Sequence, residues 1–409
     1  MSTDTNLIAQ FPTVQNSRVL DSLSKHKNIT VSGAGNFSAK SFVVSDVLRF
    51  EKGIQKVLWV VNDVVEMEHV VRALQVWSDI DVFAHRIEKV DATNIRYAER
   101  DNMMERLEFS WLLGAASRGS SNKKIIVATY ADVLAELPDF EDVHERTIIL
   151  EKDEKVDVNE LFEALIANGY ENSSDARLEK GTYYKSGEIL TIFPLCSDYP
   201  IRITIGFEEI EDIQVYDQDE KADLGSLAKI EIVPADYEVI GNGIVDYFAK
   251  DVLVIEDELD LLDEYYEEWN EAFDQMYGKA YSLGFVTFNE DDEGHQHLHY
   301  LSMLKYRGAY DLVNDLRDKK ADEWRVLVLS KDATELTNIL DENNFVYNKD
   351  FDRIGEASGV FVVGVDKEIV VPQAFQNPEL KFAVVSDREI SSIKEEKKKH
   401  FSQKAIFDF

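Results

Sequence analysis

The sequence predicts a multidomain α/β protein: a doubly wound parallel-sheet domain, interrupted by a small antiparallel sheet and followed by a second small α/β domain. Three observations carry this. Buried-type strands such as Gln55–Asn62 (QKVLWVVN) and Ile125–Ala128 alternate with helical segments such as Val65–Trp77, the order that a parallel sheet with crossover helices requires. Between Gly181 and Asp217 the pattern changes to apolar/polar alternation with turns and no helix, through Tyr183–Phe193, Ile201–Ile205 and Ile210–Val215, which reads as successive antiparallel strands open on one face. From Ala309 onward strands and helices alternate again. The expected divisions are 1–152 and 235–306 for the first domain, 153–234 for the inserted sheet, 307–390 for the second α/β domain, and 391–409 for a charged linker or tail.

Composition sets limits on function. With 409 residues, 44% of them hydrophobic, the chain can build about two to four domains with real cores. The net charge of −35, from 79 acidic against 44 basic residues, repels a phosphate backbone and argues against autonomous nucleic-acid binding. Cys196 is the single cysteine, so neither a disulfide framework nor a thiolate metal site is expected, and a reducing cytoplasm is the expected compartment. Met1–Pro12 lacks a basic n-region, and no uninterrupted apolar stretch approaches about 18 residues, so no signal peptide or membrane span is expected.

The first domain opens with a strand at Asn28–Ser32, a loop at Gly33–Ser38 and a helix at Ala39–Phe50 carrying Lys40 and Ser41. Strand, glycine loop and helix form the setting of a phosphate-binding loop, whose backbone amides cradle phosphates. GAGNFSAKS departs from that pattern: Ala39 precedes the lysine, and Ala34 stands between Gly33 and Gly35 where a glycine belongs. A β-carbon crowds a loop that must approach phosphate closely, so the nucleotide site reads as degenerate. Further helices are expected at Glu105–Leu113 and Tyr130–Leu137, the latter stopped by Pro138, with a Gly/Ser/Lys loop at Arg118–Lys124 between them. Thr147–Leu150 is the next apolar segment.

The helix Asn159–Asn168, capped by Gly169, leads into the antiparallel region. That region keeps a set of elements in fixed order: Gly181-Thr182-Tyr183, Ser186-Gly187 at a bend, Ile189–Pro194, Ile201-Arg202-Ile203, and Glu208-Glu209-Ile210. In this it resembles the domain shared by the bacterial excision-repair protein UvrB and the transcription-repair coupling factors. The resemblance implies a docking surface for the damage sensor UvrA, formed by Arg177, Tyr183, Lys185, Gly187, Arg202 and Glu209. It also implies that the first domain is a degenerate RecA/UvrB-like sheet domain into which the docking domain is inserted, with Pro234–Asp236 as the return. The family's arginine before the bend glycine is Ser186 here, and the one expected after the helix is absent from Glu171–Ser173. Serine cannot make an arginine's bidentate carboxylate contact, which leaves Lys185, Arg177 and Lys180 as point charges.

Beyond an acidic turn at Asp217–Asp223 and a strand at Ile230–Val233, Val252–Ile255 runs into Asp257 and Glu258, the place where a nucleoside triphosphatase would hold magnesium and orient water. A long acidic helix is expected to follow through Tyr281. With the altered glycine loop upstream, Lys40, Ser41, Asp257 and Glu258 read as a degenerate nucleotide site, and neither a catalytic residue nor a cofactor is assigned. His295, His297 and His299 recur at period two, but with no cysteine and no placed carboxylate they read as an exposed polar loop, and no metal site is assigned.

The last region is expected to hold helices Ala309–Lys319 and Ala333–Asn343 and strands Trp324–Leu329, Val360–Val365, Glu368–Val371 and Lys381–Ser386. The order Val360–Gly364, Ile369–Pro372, Phe382–Ile390 resembles the third domain of transcription-repair coupling factors, and Lys394–His400 (KEEKKKH) resembles the basic linker beyond it. The resemblance therefore implies the N-terminal module of such a factor: a protein-interaction region that recruits a UvrA-like protein in nucleotide excision repair and restrains a motor carried elsewhere. RNA polymerase or motor domains on another chain are further partners it implies. The alternatives are a nucleotide-binding or helicase-type ATPase component using Lys40, Ser41, Asp257 and Glu258, and an acidic scaffold that no longer binds UvrA.

Overall fold

The computed structural model describes residues 14–85, 123–134, 137–195, 197–236, 252–259, 269–271, 280–288, 293–349, 358–365 and 371–390. The expected helix at Glu105–Leu113, most of the loop before Lys124, Cys196, most of the acidic helix before Tyr281, and Lys394–His400 lie outside these residues.

The first domain begins with α1 (Val14–Lys25), β1 (Asn28–Ser32), α2 (Phe37–Phe50), β2 (Lys56–Val61), α3 (Val64–Trp77), β3 (Asp81–His85), β4 (Lys124–Thr129) and the one-turn α4 (Tyr130–Val133). Side-chain caps set the helix starts. Asn36 accepts from the Ala39 amide and Asp63 from the Glu66 amide, while Thr129 and Asp132 form a reciprocal capping box. Asn36 thus starts α2 at Phe37, two residues before the expected Ala39.

The chain then leaves the domain through α5 (Phe140–Arg146) and β5 (Ile148–Glu151) into α6 (Val158–Ala167) and the strands β6 (Glu171–Asn172), β7 (Thr182–Ser186), β8 (Ile189–Phe193), β9 (Ile201–Gly206), β10 (Glu209–Asp217) and β11 (Ala222–Ser226). These six strands form one sheet in the order β11-β10-β9-β8-β7-β6. The chain returns along β12 (Lys229–Ile232), antiparallel to β5. Strands β7 to β10 fall where the alternation places them. Gly169, at φ 80°, closes α6 as expected: its amide bonds to Ile166 and that of Tyr170 to Leu165, so the left-handed residue satisfies the last carbonyls.

The parallel sheet is completed by β13 (Val252–Asp257), β14 (Tyr281–Val286) and β15 (Gln296–His297), in the order β15-β1-β14-β13-β2-β4-β3 with every pairing parallel. Two expectations are corrected here. Tyr281 opens a strand where a helix was expected to end, because YSLGFV sits between β1 and β13 with Leu283 and Phe285 in the core. The histidine segment is not an exposed loop: Gln296 and His297 extend the sheet beside Val31 and Ser32.

The last domain comprises β16 (Leu301–Ser302), α7 (Ala309–Ala321), β17 (Arg325–Ser330), α8 (Ala333–Glu342), β18 (Gly359–Gly364), β19 (Phe375–Asn377) and β20 (Phe382–Ser386), with sheet order β16-β19-β20-β17-β18. Of the expected strand Glu368–Val371, only Val371 is described.

Helix α2 joins the two α/β units. Eleven of its 14 residues are buried, because it is covered on more than one side. Phe42 lies 5.3 Å from the Trp77 ring of the first domain and 5.7 and 5.5 Å from Phe375 and Phe382 of the last. One apolar cluster accordingly runs from Val31 and Trp59 through α2 to Leu327 and Val384. Asn36 adds a polar tie, its Nδ2 donating to the Ala374 carbonyl at 2.8 Å. Phe42→Ala is expected to destabilise the protein by about 3–5 kcal/mol, the usual cost of deleting a fully buried aromatic ring. Denaturant unfolding followed by tryptophan fluorescence reads this directly; a loss below about 1 kcal/mol would mean that the two sheets do not depend on this ring.

Candidate functional site

Two places gather the residues singled out in the sequence. In the inserted sheet, β7 to β10 alternate, with a register shift between Ile210 and Asp212: Tyr183, Leu190, Ile192, Ile201, Ile203, Ile205, Ile210 and Ile213 are buried and share a core with Leu161 and Leu165 of α6. The other face carries Tyr184, Thr191, Arg202 and Gln214, which stand side by side through the pairings Tyr184↔Thr191↔Arg202↔Gln214. The Arg202 guanidinium stacks on the Tyr216 ring at 3.2 Å from its centroid and lies 3.6 Å from Asp223. A cation backed by an aromatic ring and only partly balanced by one carboxylate is a ready contact for an anionic group on a protein surface.

The six residues expected to form one docking surface do not share a face. Tyr183 is only 5% exposed and packs on Phe162 with ring centroids 5.5 Å apart, so its ring belongs to the core. Strand periodicity is the reason: Tyr183 and Arg202 point to opposite sides, and Tyr184 is the tyrosine on the open face. Lys185 follows Tyr183's side, its ammonium 5.0 Å over the Phe162 ring. Arg177 is exposed and paired with Asp219 at 2.7 Å. Gly187 occupies the β7–β8 turn at φ 63°, with nothing within 4 Å of where a β-carbon would stand. Glu209 is exposed at the start of β10.

The unit is anchored at its neck. Arg146, at the end of α5, donates to Asp236 at 2.5 Å, to Asn168 Oδ1 at 3.3 Å and to the Ala167 carbonyl at 3.1 Å, while Tyr170 Oη donates to the Val233 carbonyl at 2.8 Å. Incoming and outgoing chain are thus tied to one another and to the end of α6.

The second place is the carboxyl edge of the parallel sheet. Lys40, Asp257 and Glu258, far apart in sequence, meet there because β1 and β13 point the same way. Lys40 Nζ donates to Asp257 Oδ1 and, at 2.7 Å, to Glu258 Oε1; Trp59 Nε1 donates to Asp257 Oδ2 at 3.0 Å and Thr287 Oγ1 to Glu258 Oε2 at 2.8 Å. Burial pulls the Lys40 pKa down, but the two carboxylates outweigh it and hold the ammonium above the ordinary lysine range. Burial works upward on Glu258 as well, yet Lys40 and Thr287 hold it below the usual carboxylate range. Asp257 is pushed upward by its own burial against the pull of Lys40 and Trp59. Ser41 is fully buried, its hydroxyl without a hydrogen-bond partner among the described residues.

The glycine loop before α2 is packed from the far side. Gly33 and Gly35 adopt φ of 64° and 78°, and a β-carbon on Gly33 would stand 1.9 Å from the Leu298 carbonyl oxygen. The Gly33 carbonyl accepts from the Tyr300 amide at 2.9 Å. Glycine is therefore required at position 33 by the approach of residues 297–300 as well as by φ. In the same segment His295 hydrogen-bonds Thr30 and Ser32 at 2.8 and 2.9 Å, His297 bonds Ser32 at 2.8 Å, and His299 lies 3.0 Å from Glu379. Among the described residues no three His, Cys, Asp or Glu side chains form a group that could hold a metal, and no helix is long and apolar enough to cross a membrane.

Known proteins resemble parts of this chain. Residues 148–237 match the family described as the UvrB interaction domain, which spans β5 through β12. A transcription-repair-coupling factor of Bacillus subtilis is 25% identical over 157 residues, covering 38% of this chain and 13% of that protein. A UvrABC system protein B of Kosmotoga olearia is 28% identical over 160 residues, 38% of this chain and 23% of its own length. A second transcription-repair-coupling factor, from Staphylococcus haemolyticus, is 21% identical over 234 residues, 57% of this chain and 19% of its own. The chain is thus a mixed α/β protein with a segment similar to the UvrB interaction domain and with similarity to parts of both kinds of protein, and it spans less than a quarter of these relatives' lengths.

Lys40→Met alone leaves Asp257 buried without its cationic partner, and is expected to cost about 3–5 kcal/mol; adding Asp257→Leu should recover at least half, since it removes the buried carboxyl and leaves only the part-exposed Glu258 without its lysine. Denaturant midpoints of the two variants test this, and a double variant less stable than the single one would refute it. The pH dependence has a definite sign. Because the folded-state pKa of Lys40 is raised, its contribution is complete below the ordinary lysine value of 10.5 and is lost as pH rises through the folded value. The unmutated chain should accordingly lose stability above that pH more steeply than the double variant.

Proposed function

We propose that this chain is a protein-interaction module of nucleotide excision repair that docks a UvrA-type partner through its inserted domain. The observation that carries the reading is the coincidence of the matched family, residues 148–237, with a unit that has its own core, its own neck and an open sheet face bearing Tyr184, Arg202 and Tyr216. Sheet-face docking of this kind consumes no substrate. It needs a rigid platform and a few oriented polar and aromatic anchors, which Tyr184, Arg202 and Tyr216 supply.

The similarity to transcription-repair-coupling factors extends the proposal. The module would recruit the partner on behalf of a motor, and restrain that motor until it is needed, with motor domains or RNA polymerase as further partners. Its site is soluble-facing and cytoplasmic in this reading. The ATPase alternative draws on the meeting of Lys40, Asp257 and Glu258 at one edge of the sheet. Two features weigh against it: the lysine and both acids already satisfy one another, and residues 297–300 pack on the glycine loop. The acidic scaffold without UvrA binding is the reading that a negative binding result would leave.

Titration calorimetry at moderate salt with UvrA of the same organism tests the proposal. Binding is expected, and Arg202→Ala should weaken it by about tenfold or more while leaving the melting temperature nearly unchanged, since Arg202 lies on the open face. Absence of binding by the unmutated chain would remove the docking proposal.

A further inference from the structure

The hairpin joining β9 and β10 is two residues long: Gly206 pairs with Glu209, and Phe207 and Glu208 make the turn, both with positive φ, 50° and 63°. That is the turn type that matches strand twist, and it selects Asn, Asp and Gly because a β-carbon disfavours left-handed backbone. A phenylalanine there is conformationally unfavourable, and no packing among the described residues compensates for it, since Phe207 is 102% exposed. Two-residue turns of this class need no aromatic ring. The ring is therefore unexplained by the fold.

The tip is held rigidly in spite of the strain. The Glu208 carbonyl accepts from the Val156 amide at 2.8 Å, the Ile210 amide donates to the Glu154 carbonyl at 2.9 Å, and the Asp153 amide donates to the Ile210 carbonyl at 2.8 Å. The segment before α6 thus braces the outer edge of β10 as β9 braces its inner edge. A strained residue persists where the surroundings over-determine its backbone. A rigidly presented, fully exposed ring costs little entropy to immobilise on binding, which is the property of an anchor residue.

The surroundings say what such an anchor would meet. Glu188, Glu208, Glu209 and Glu211 are all exposed around the tip, with Lys155 among them. Gly206 leaves room for an acid to lie against the hairpin, since a β-carbon there would stand 2.1 Å from Glu211 Oε1. An acidic rim on a chain of net charge −35 disfavours a second copy, a nucleic acid or an anionic lipid surface, each of which would bring like charge to the tip. We infer that Phe207 is an anchor that inserts into an apolar pocket edged by lysine or arginine side chains on the protein partner of the inserted domain. This rests on the docking reading above and adds to it a second contact, at the sheet's edge, separate from the open face around Arg202.

Phe207→Asn separates the anchor from the fold, because asparagine suits the left-handed turn. The melting temperature should stay the same or rise by about 1–2 °C, while affinity for UvrA of the same organism falls by about thirty-fold. Phe207→Trp should retain binding, and Glu211→Lys should weaken it and flatten its salt dependence. Unchanged affinity of Phe207→Asn with binding by the unmutated chain intact would overturn the anchor and leave open-face docking standing. No binding by the unmutated chain would overturn both. An affinity loss accompanied by a fall in melting temperature would also overturn the inference, since the ring would then be structural.

Discussion

Burial of α2 on more than one side is the constraint on which the rest of this structure depends. A helix packed on one sheet needs an apolar stripe; one enclosed by two units must be apolar nearly all round. FSAKSFVVSDVLRF meets this with Phe42, Val43, Val44, Val47 and Leu48, and with small Ser38, Ala39, Ser41 and Ser45 where neighbours come close. Phe42 then acts as a shared core residue, in contact with aromatic rings of both α/β units. The two sheets are joined through a side-chain cluster and not merely by the chain between them.

The same enclosure explains the chemistry at the sheet's carboxyl edge. A lysine buried at the first turn of α2 must be neutralised locally, and the parallel sheet delivers Asp257 and Glu258 to it. The arrangement makes a closed ion cluster, with Trp59 and Thr287 taking the remaining carboxylate oxygens. Residues 297–300 complete the enclosure by packing on the glycine loop, and His299 and Tyr300 of the same segment meet Glu379 and Phe375 of the last unit.

The inserted unit is organised on the opposite principle. It keeps its own core under α6 and leaves one face of an antiparallel sheet open, as such sheets readily do. Its contacts are consequently surface features: an arginine oriented by Tyr216 and Asp223, and a hairpin tip whose backbone is fixed by three flanking strand-like bonds. Rigidity without enzymatic apparatus suits a docking element, because the ordering cost is met during folding and not during binding.

Much of this was legible in the residues. Apolar runs located β1, β2, β4, β13, β17, β18 and β20, Gly169 ended α6 as its position implied, and the ordered elements from Gly181 to Ile210 pointed to the inserted unit whose residues match the UvrB interaction domain. Local pattern determines these because strand alternation, helix caps and left-handed glycines are properties of a few neighbouring residues. What only the tertiary structure decided are the long-range facts. Tyr183 fell inside and Tyr184 outside, since a one-residue choice of face depends on where α6 packs. His297 became a strand partner of Ser32, 265 residues away, and Lys40 met Asp257 and Glu258, because parallel pairing is set by sheet order and not by sequence neighbourhood. At Phe207 a positive φ and full exposure coincide, which is again a fact of the folded hairpin. Nothing in the alternation of β9 and β10 tells whether a ring at the tip folds back or stands free; that is settled by what else comes near, and among the described residues the ring stays fully exposed.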